Sequence, residues 1–310
     1  MSHTIILFPF FNDEVSLNLV LNDLEKLLLN QNEGFSVLIV NDGTPSFSLK
    51  TKFPYRIIHL QRNIGHQKAI AIGLAYAHEQ LSFDQVLVMD CDGEDRPEDA
   101  FQLLQKENAG SEIVVARRST RQESKRFRFF YRIYKLMFLV LTGKKITFGN
   151  FMLLPRRVVD TLVYHTEIWN HLAGAVLKSK ITYSVIDSHR GKRRDGVSKM
   201  SFTSLLLHGL GAIGVFIEIV ASRLLLFSLF LIALSVVAIL VIFSIRFFTN
   251  EAIPGWATTA VSSMLIILLQ SFLLSLFIIF LYLSLKTQRQ FIPANHYKDY
   301  VRSVEISKNE

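Results

Sequence analysis

The sequence predicts an α/β domain with a mainly parallel β-sheet, followed by interfacial helices and two transmembrane helices. Strand and helix patterns alternate from Thr4 to Ala116, and strands separated by helices form βαβ units with parallel pairing. Two long apolar stretches without any charged residue lie further along the chain, at Leu224–Ile245 and Thr259–Leu285. Half of the 310 residues are hydrophobic, which agrees with a chain attached to a membrane.

The first part of the chain supplies five predicted strands and three predicted helices. Each strand is a short apolar run, and the first helix carries apolar residues at helical spacing. The strands are Thr4–Phe8, Phe35–Val40, Arg56–Leu60, Gln85–Met89 and Glu112–Ala116. The helices are Asp13–Leu29, His66–Glu79 and a third that opens at Pro97. No G-x-G-x-x-G sequence follows the first strand, which argues against a dinucleotide-binding fold.

Two carboxylates follow the fourth predicted strand. The apolar run Val86–Met89 stops at Asp90-Cys91-Asp92, and ligands of open α/β sheets bind beyond the carboxyl ends of the strands. Asp90 and Asp92, with Asp95 close behind, suit a hard divalent cation that also holds substrate phosphates. An acidic turn without a ligand is the alternative, since Asp is common in turns.

Two further segments are expected to lie along a membrane surface. Lys125–Leu141 places basic residues beside an apolar face, as a helix in the headgroup region does. An ordinary packed helix would give the same pattern. Phe202–Ser222 is largely apolar but contains His208 and Glu218. We expect it in the membrane plane, because a third span would move the N-terminal domain across the membrane relative to the two uncharged stretches.

The two uncharged stretches predict a membrane hairpin. Each is long enough to cross a hydrocarbon core of about 30 Å, and the connector Arg246–Thr258 contains a Pro-Gly pair. Two buried helices of a soluble protein are the alternative. Arg223, Lys286 and Arg289 flank the outer ends, whereas the connector holds a single basic residue. Both outer ends are therefore predicted to be cytoplasmic.

The N-terminal residues, the cysteine content and the charge agree with a cytoplasmic domain at a membrane. Met1–Phe11 has no basic segment, and its apolar stretch is too short for a signal peptide. The single cysteine, Cys91, excludes an intramolecular disulfide and fits a reducing compartment. The net charge of +8 suits the face of an anionic membrane better than nucleic acid.

Five sequence blocks, taken in order, resemble the family 2 glycosyltransferases of the GT-A fold. More narrowly, they resemble the polyprenyl-phosphate (dolichol-phosphate mannosyltransferase-like) glycosyltransferases, in which a GT-A domain precedes juxtamembrane helices and a membrane hairpin. The blocks are Pro9-Phe10-Phe11-Asn12-Asp13-Glu14, Val40-Asn41-Asp42-Gly43-Thr44, Asn63-Ile64-Gly65 with Ala69 and Gly73, Asp90-Cys91-Asp92 with Pro97-Glu98, and Arg193-x-x-Gly196-x-Ser198-Lys199-Met200. The resemblance covers nearly the whole chain and implies a Rossmann-like, mainly parallel catalytic domain.

The resemblance also implies a UDP- or GDP-linked sugar donor and a metal ion. The donor-binding residues would be Pro9, Asn12, Glu14, Asp42, Asn63, Lys68 and Asp90. Asp90 and Asp92 would hold Mg²⁺ or Mn²⁺, and Asp92 would be catalytic, since the metal offsets charge on the departing nucleoside diphosphate. The alternative for Glu14 is a first-turn carboxylate favoured by the helix dipole, and the alternative for Lys68 is a solvated lysine. His66 is treated as structural.

The acceptor side departs from the family pattern. Related enzymes often carry a catalytic Asp within Gly-Asp-Phe-x-Leu, and this chain has Asn150 at that position. An amide cannot remove a proton from a hydroxyl, whereas a phosphate monoester, with a second pKa of about 6, is already mostly dianionic at neutral pH. Asn150 therefore favours a lipid-phosphate acceptor. The cations that position it would be Arg118, Arg121, Arg193 and Lys199, whose alternative role is to hold anionic headgroups.

Together these patterns predict an inverting glycosyltransferase of the bacterial inner membrane that acts on polyprenyl phosphate, such as undecaprenyl phosphate, at the cytoplasmic face. One rival is transfer to another membrane lipid's hydroxyl, with Asp187 or Glu167 as base. The other is a catalytically silent nucleotide-binding scaffold, since Asn41 and Asn150 both replace acids. A homo-oligomer is left open. The expected boundaries are 1–200 for the GT-A domain with an interfacial helix at about 125–141, 201–223 for a juxtamembrane helix, 224–285 for the hairpin and 286–310 for a cytoplasmic tail.

Overall fold

The computed structural model describes residues 3–29, 31, 33–106, 112–118, 125–189, 191–195, 202–248, 255–287 and 290–307. The chain divides into two compact units. The first comprises Met1–Leu139, Gly143–Val215 and Gln290–Glu310, and the second comprises Val140–Thr142 and Phe216–Arg289. Every residue predicted to take part in the site belongs to the first unit.

The described part of the first unit contains an eight-stranded mixed sheet. Its strands are β1 (His3–Phe10), β2 (Gly34–Asn41), β3 (Tyr55–Leu60), β4 (Gln85–Val88), β5 (Ile113–Arg118), β6 (Met152–Pro155), β7 (Tyr183–Ser188) and β8 (Val301–Ile306). They lie in the order β7-β5-β6-β4-β1-β2-β3-β8. Strands β1 to β4 and the pair β5–β7 are parallel, whereas β6 and β8 run antiparallel to their neighbours. The expected mainly parallel sheet is confirmed.

Helices cover both faces of this sheet. The α-helices of the described residues are α1 (Glu14–Leu28), α2 (His66–Gln80), α3 (Pro97–Leu104), α4 (Lys125–Thr142), α5 (Arg156–Leu162), α6 (Leu172–Ser179), α7 (Phe202–Gly214), α8 (Ile217–Phe248), α9 (Trp256–Thr287) and α10 (Pro293–His296). Successive residues of a strand point to opposite faces. In β1, Leu7 therefore joins the core beneath α2, α5 and α6, whereas Ile6 and Phe8 join the core beneath α1 and α3.

The segment before the two long apolar helices differs from the expectation of one helix. Phe202–Ser222 is divided, because α7 ends at Gly214 and the next helix begins at Ile217 and continues into the first apolar span. Glycine is a poor helix former, and Val215 and Phe216 are buried at the break. The thirteen residues of α7 are too few to span a bilayer.

The residues after the two long apolar helices belong again to the first unit. β8 pairs antiparallel with β3 and forms one edge of the sheet. The ring of Phe291 lies 3.9 Å from that of Trp169, centroid to centroid, and Tyr297 is buried. Where the sequence predicts only a tail, the structure places a folded part of the first unit.

The second unit is a helical hairpin. Both α8 and α9 are long and apolar enough to cross a membrane, and they contain the two predicted spans. Most of their apolar side chains are exposed, including Phe230 and Phe280, unlike those of core helices in a soluble protein. Between the helices, Ser228 Oγ lies 2.6 Å from Ser275 Oγ. Small residues of this kind allow helices to approach closely in a membrane.

Candidate active site

The candidate site lies at the carboxyl ends of β1, β2 and β4. In the sheet β1 is flanked by β4 on one side and by β2 on the other. The sequence order of the strands reverses there, and ligands of open α/β sheets bind in the crevice beyond such a switch point. The chain leaves β1 at Phe10, β2 at Asn41 and β4 at Val88, so the segments that follow these strands meet at one edge.

The turn after β2 is fixed by its own side chains. Asn41 accepts a hydrogen bond from the Thr44 backbone N–H at 2.8 Å and donates one to the Thr44 carbonyl at 2.9 Å. A carboxylate could accept the first of these bonds but could not donate the second. Asn41 is therefore explained by the turn, and its departure from the family's acid is no sign of lost activity.

Asp42 joins this turn to the segment before α2. Its two carboxylate oxygens accept hydrogen bonds from the backbone N–H groups of Ile64 at 2.7 Å and Gly65 at 2.9 Å. Desolvation raises the pKa of Asp42 above its ordinary value, although both hydrogen bonds act in the opposite direction. Asp42 thus orients the loop that carries the predicted donor residue Asn63.

The loop after β1 has an unusual backbone conformation. Asn12 has a φ of 52°, in the left-handed region that Asn tolerates better than most residues, and its N–H donates to Thr44 Oγ1 at 2.9 Å. Pro9 is buried within β1, and Glu14 begins α1 directly after this turn. The predicted donor-binding residues of the first two strands therefore share one rim.

Residues 90–95, called the carboxylate loop, follow β4. The N–H of Asp90 donates to Asp95 Oδ2, and the N–H of Glu94 donates to Asp92 Oδ1, both at 2.9 Å. Asp95 is buried, and Gly93 has a φ of 84°, which favours glycine. Asp95 thus holds the loop from within, a role that the sequence analysis left open.

Residues 191–195, called the basic loop, contact the carboxylate loop through the backbone. The N–H of Gly191 donates to the Glu94 carbonyl at 2.9 Å, and the N–H of Arg194 donates to the Asp92 carbonyl at 3.0 Å. A Cβ on Gly191 would lie 2.3 Å from the Gly93 carbonyl oxygen. Only glycine allows the two backbones to come this close.

The side chain of Arg193 bridges two acidic residues of the site. Its Nη2 donates to Asp13 Oδ2 at 2.5 Å, and its Nη1 donates a longer hydrogen bond to Asp92 Oδ2 at 3.4 Å. Desolvation lowers the pKa of Arg193, but the hydrogen bond and charge of Asp13 and the charge of Asp92 outweigh it, so the net shift is upward. Arg193 is a fixed cation inside the site.

His66, which sequence reasoning treats as structural, lies between two predicted site residues. Its Nε2 is 3.3 Å from Asp90 Oδ1 and 3.2 Å from Asn150 Nδ2. Asn150 Oδ1 is buried and has no hydrogen-bond partner among the residues that the structure describes. The sequence signal for His66 was its place at the start of α2, directly after the predicted donor block Asn63-Ile64-Gly65.

The carboxylates fit a metal ion that a substrate helps to hold. Within the described ranges, no group of three or more His, Cys, Asp or Glu side chains could hold a metal by itself. Mg²⁺ is commonly bound by one or two carboxylates together with substrate phosphates. Asp90 and Asp92, one residue apart on the carboxylate loop, are suited to this shared kind of site.

Other predicted residues lie at the margin of the site or outside the described ranges. Lys68 directs its ammonium towards Trp169, 5.3 Å from the ring centroid. Asn63 is exposed. Its backbone passes close to Gly43, where an added Cβ would lie 2.9 Å from the Asn63 nitrogen. Arg118 is the last residue of β5, and the structure does not describe its side chain. Arg121 and Lys199 lie outside the described residues.

The two bases considered for a hydroxyl acceptor are both engaged in ion pairs. Asp187 Oδ1 accepts a hydrogen bond from Arg117 Nε at 2.8 Å. Glu167 Oε1 accepts one from Lys178 Nζ at 2.7 Å. Desolvation raises the pKa of Glu167, but the hydrogen bond and charge of Lys178, together with the backbone hydrogen bond at Glu167, outweigh it, so the net shift is downward. Each carboxylate is thus held by a cation, Arg117 for Asp187 and Lys178 for Glu167.

Comparison with known proteins gives a family match over half of the chain. The family model described as "Glycosyl transferase family 2" matches residues 5–163. Over 272 residues the chain is 24% identical to the uncharacterized glycosyltransferase YkcC of Bacillus subtilis (strain 168), which covers 84% of this chain and 82% of that protein. This match supports the resemblance and the GT-A-like fold expected from the sequence.

Two further similar proteins are named together with a substrate or ligand. The chain is 25% identical over 214 residues to the undecaprenyl-phosphate 4-deoxy-4-formamido-L-arabinose transferase of Photorhabdus laumondii, which covers 65% of this chain and 64% of that protein. A solved structure of glucosyl-3-phosphoglycerate synthase from Mycobacterium tuberculosis, in complex with Mn²⁺, UDP and glucosyl-3-phosphoglycerate, matches with a TM-score of 0.48 and 11% identity. It covers 70% of this chain and 80% of that one.

Proposed function

Because this chain belongs to glycosyl transferase family 2, we propose that it transfers a sugar from a UDP- or GDP-linked donor to polyprenyl phosphate, with undecaprenyl phosphate as the expected acceptor. The observation that carries the proposal is the contact between the carboxylate loop and the basic loop. It brings carboxylates for a metal and cations for phosphate groups into one site. A relative named as an undecaprenyl-phosphate transferase supports the choice of acceptor.

The donor side follows from the loops at the ends of β1, β2 and β4. Asp90 and Asp92 would hold Mg²⁺ or Mn²⁺ against the donor diphosphate, and the bound ion would offset charge on the leaving nucleoside diphosphate. Glu14, at the start of α1, would accept hydrogen bonds from the nucleoside. Asp42 would also bind the nucleoside, because each of its oxygens accepts one backbone N–H group and can accept a second hydrogen bond.

The acceptor side follows from the amide at position 150. Asn150 cannot act as a base, but its buried Oδ1 can accept a hydrogen bond from a hydroxyl of the donor sugar. A phosphate acceptor needs no base, since one of its charged oxygens can attack the anomeric carbon directly. The new bond joins that oxygen to the anomeric carbon as the bond to the diphosphate breaks, and in-line attack inverts the anomeric centre.

The sheet supports a defined membrane topology. β8 follows both apolar helices in the chain, yet it pairs with β3, which precedes them. A bilayer cannot divide a hydrogen-bonded sheet, so an even number of spans must separate the two strands. We propose that α8 and α9 are these spans and that both of their outer ends are cytoplasmic, as the basic residues beside them indicate.

The two helices before the hairpin are suited to the headgroup region. Ile133, Leu136 and Met137 of α4 and Leu207 and Leu210 of α7 are exposed. Within the first unit the two helices contact each other, because Tyr134 donates a hydrogen bond to the Gly209 carbonyl. Exposed apolar residues on adjacent helices of this composition favour a membrane surface over bulk water.

A transfer assay tests the function. The purified full-length chain is incubated with undecaprenyl phosphate, Mg²⁺ and labelled UDP- or GDP-sugars, and the label is followed into the organic extract. Asp92→Ala should abolish transfer, and excess chelator should do the same. The matched control is Asp299→Ala, because Asp299 is exposed and lies outside the site. Transfer that persists in chelator, or without Asp92, would refute the proposal.

The acceptor is tested in the same assay. Undecaprenyl phosphate should be glycosylated, whereas undecaprenol and diacylglycerol should not, because the amide of Asn150 cannot take the proton of their hydroxyls. Asn150→Asp supplies a carboxylate at the position where related enzymes carry one. If that variant prefers a hydroxyl lipid to the phosphate, the argument for a phosphate acceptor is wrong. Failure of every donor with every acceptor would favour the silent scaffold.

A further inference from the structure

A positive charge lies beside the carboxylate that the proposed function assigns to the metal. The guanidinium of Arg193 contacts Asp92 through Nη1, Asp13 through Nη2 and the Asp195 carbonyl through Nε. The side chains of Arg193 and Asp13 are each 16% exposed, and that of Asp92 is 19% exposed. These charges are therefore largely shielded from water.

The three contacts of Arg193 are unequal. The hydrogen bond to Asp13 measures 2.5 Å, whereas that to Asp92 measures 3.4 Å, beyond the usual range for an N–H···O bond. The basic loop is also held by two backbone bonds to the carboxylate loop. The contact with Asp92 can therefore be released while Asp13 and the backbone keep the loop in place.

A divalent ion at Asp92 would be repelled by this guanidinium. Coulomb's law with the dielectric constant of water gives roughly a tenfold loss of affinity for a unit positive charge about 5 Å from a divalent cation. Partial burial makes the effect larger, because the effective dielectric constant is lower. Negative charge from a nucleoside diphosphate would cancel the repulsion, since it attracts both cations.

We propose that Arg193 is the resting counter-cation of Asp92 and opposes metal binding until a nucleoside diphosphate arrives. The inference rests on the proposed function, which assigns Asp92 to the metal. The metal and the donor then bind as a pair. The metal site therefore stays empty until the donor is present. After the metal has replaced Arg193 at Asp92, the guanidinium remains near the donor diphosphate.

The test is Mn²⁺ binding to the full-length chain in detergent without nucleotide, measured by calorimetry or by the electron paramagnetic resonance signal of free Mn²⁺. Arg193→Gln should bind Mn²⁺ roughly tenfold more tightly than wild type. Arg193→Lys, which keeps the charge, should stay close to wild type. The gain should disappear in the double variant Arg193→Gln/Asp92→Ala, because it requires the carboxylate.

Arg194→Gln is the matched control. Arg194 belongs to the same loop and pairs with Asp23 at 2.8 Å rather than with Asp92, and the substitution removes the same net charge. It should change Mn²⁺ affinity by much less than Arg193→Gln does, because its charge is paired with Asp23. Thermal unfolding of each variant shows whether it is folded, and Arg193→Lys provides a second comparison if Arg193→Gln is destabilised.

The outcomes separate this inference from the proposed function. If wild type binds Mn²⁺ with UDP or GDP present, and Arg193→Gln shows no gain without nucleotide, the counter-cation role is refuted and the metal site stands. An equal gain in Arg194→Gln would also refute it, since a general charge effect would then suffice. If no variant binds Mn²⁺ with or without UDP or GDP, the metal site and this inference fall together.

Discussion

The close contact between the carboxylate loop and the basic loop predicts a strong effect of one added methyl group. In Gly191→Ala the new Cβ would lie 2.3 Å from the backbone oxygen of Gly93. Neither atom is at the end of a flexible side chain, so one loop must move away. Overpacking of this kind costs about 1–3 kcal/mol. The two backbone hydrogen bonds between the loops contribute about 1 kcal/mol each, so the clash is large enough to separate the loops.

Hydrogen exchange at the amides of Gly191 and Arg194 measures this separation. Both donate to carbonyls of the carboxylate loop, and a loss of 1–3 kcal/mol corresponds to exchange about 5- to 150-fold faster in Gly191→Ala. Exchange in the buried strand β4 should not change. The control is Gly149→Ala, because among the described residues no atom beyond its chain neighbours lies within 4 Å of a Cβ at Gly149. Unchanged exchange at Arg194 in the Gly191 variant would show that the loops are not held as described.

Three further predictions concern stability. Gly73→Ala should lower the free energy of unfolding by about 1–3 kcal/mol, because its Cβ would lie 2.4 Å from Leu7 Cδ1; an unchanged melting temperature would contradict the packing of α2 on β1. Glu167 has a pKa below the ordinary 4.5, so its pairing with Lys178 stabilises the fold above that pH and is lost as pH falls through the folded pKa. The difference in melting temperature between wild type and Glu167→Gln should therefore shrink in acid, and a constant difference would argue against the pair. Asp42→Asn should lower the free energy of unfolding by about 1–3 kcal/mol, because one of two backbone N–H groups loses its acceptor. Denaturant unfolding measures this loss, and an unchanged free energy would contradict the two hydrogen bonds.

The order of the first strands and helices could be predicted because each has a clear local pattern. The apolar runs that became β1, β2 and β4 end at polar residues, and α1 has an apolar stripe at helical spacing. The position of the candidate site followed from these ends. The two candidate membrane helices were equally clear, since nothing but a long uncharged stretch is needed to recognise them.

The remaining elements depend on partners far away in the chain. Val301–Ile306 alternates polar and apolar residues only weakly, and it becomes β8 because β3 offers an open edge. The position of His66 is similar: its sequence neighbours place it at a helix start, but its contact with Asn150 arises from the fold. The pairing of Arg193 with Asp13 joins residues 180 positions apart, which no local pattern reveals.

The place of β8 at the edge of the sheet has a consequence for the order of synthesis. The ribosome completes β1 to β7, then both apolar helices, and only afterwards the strand that covers β3. An uncovered sheet edge can pair with other chains. The edge of β3 in the newly synthesised domain is therefore open to such pairing until both apolar helices and β8 have been synthesised. Synthesis of the two apolar helices and completion of the sheet are thereby coupled in time.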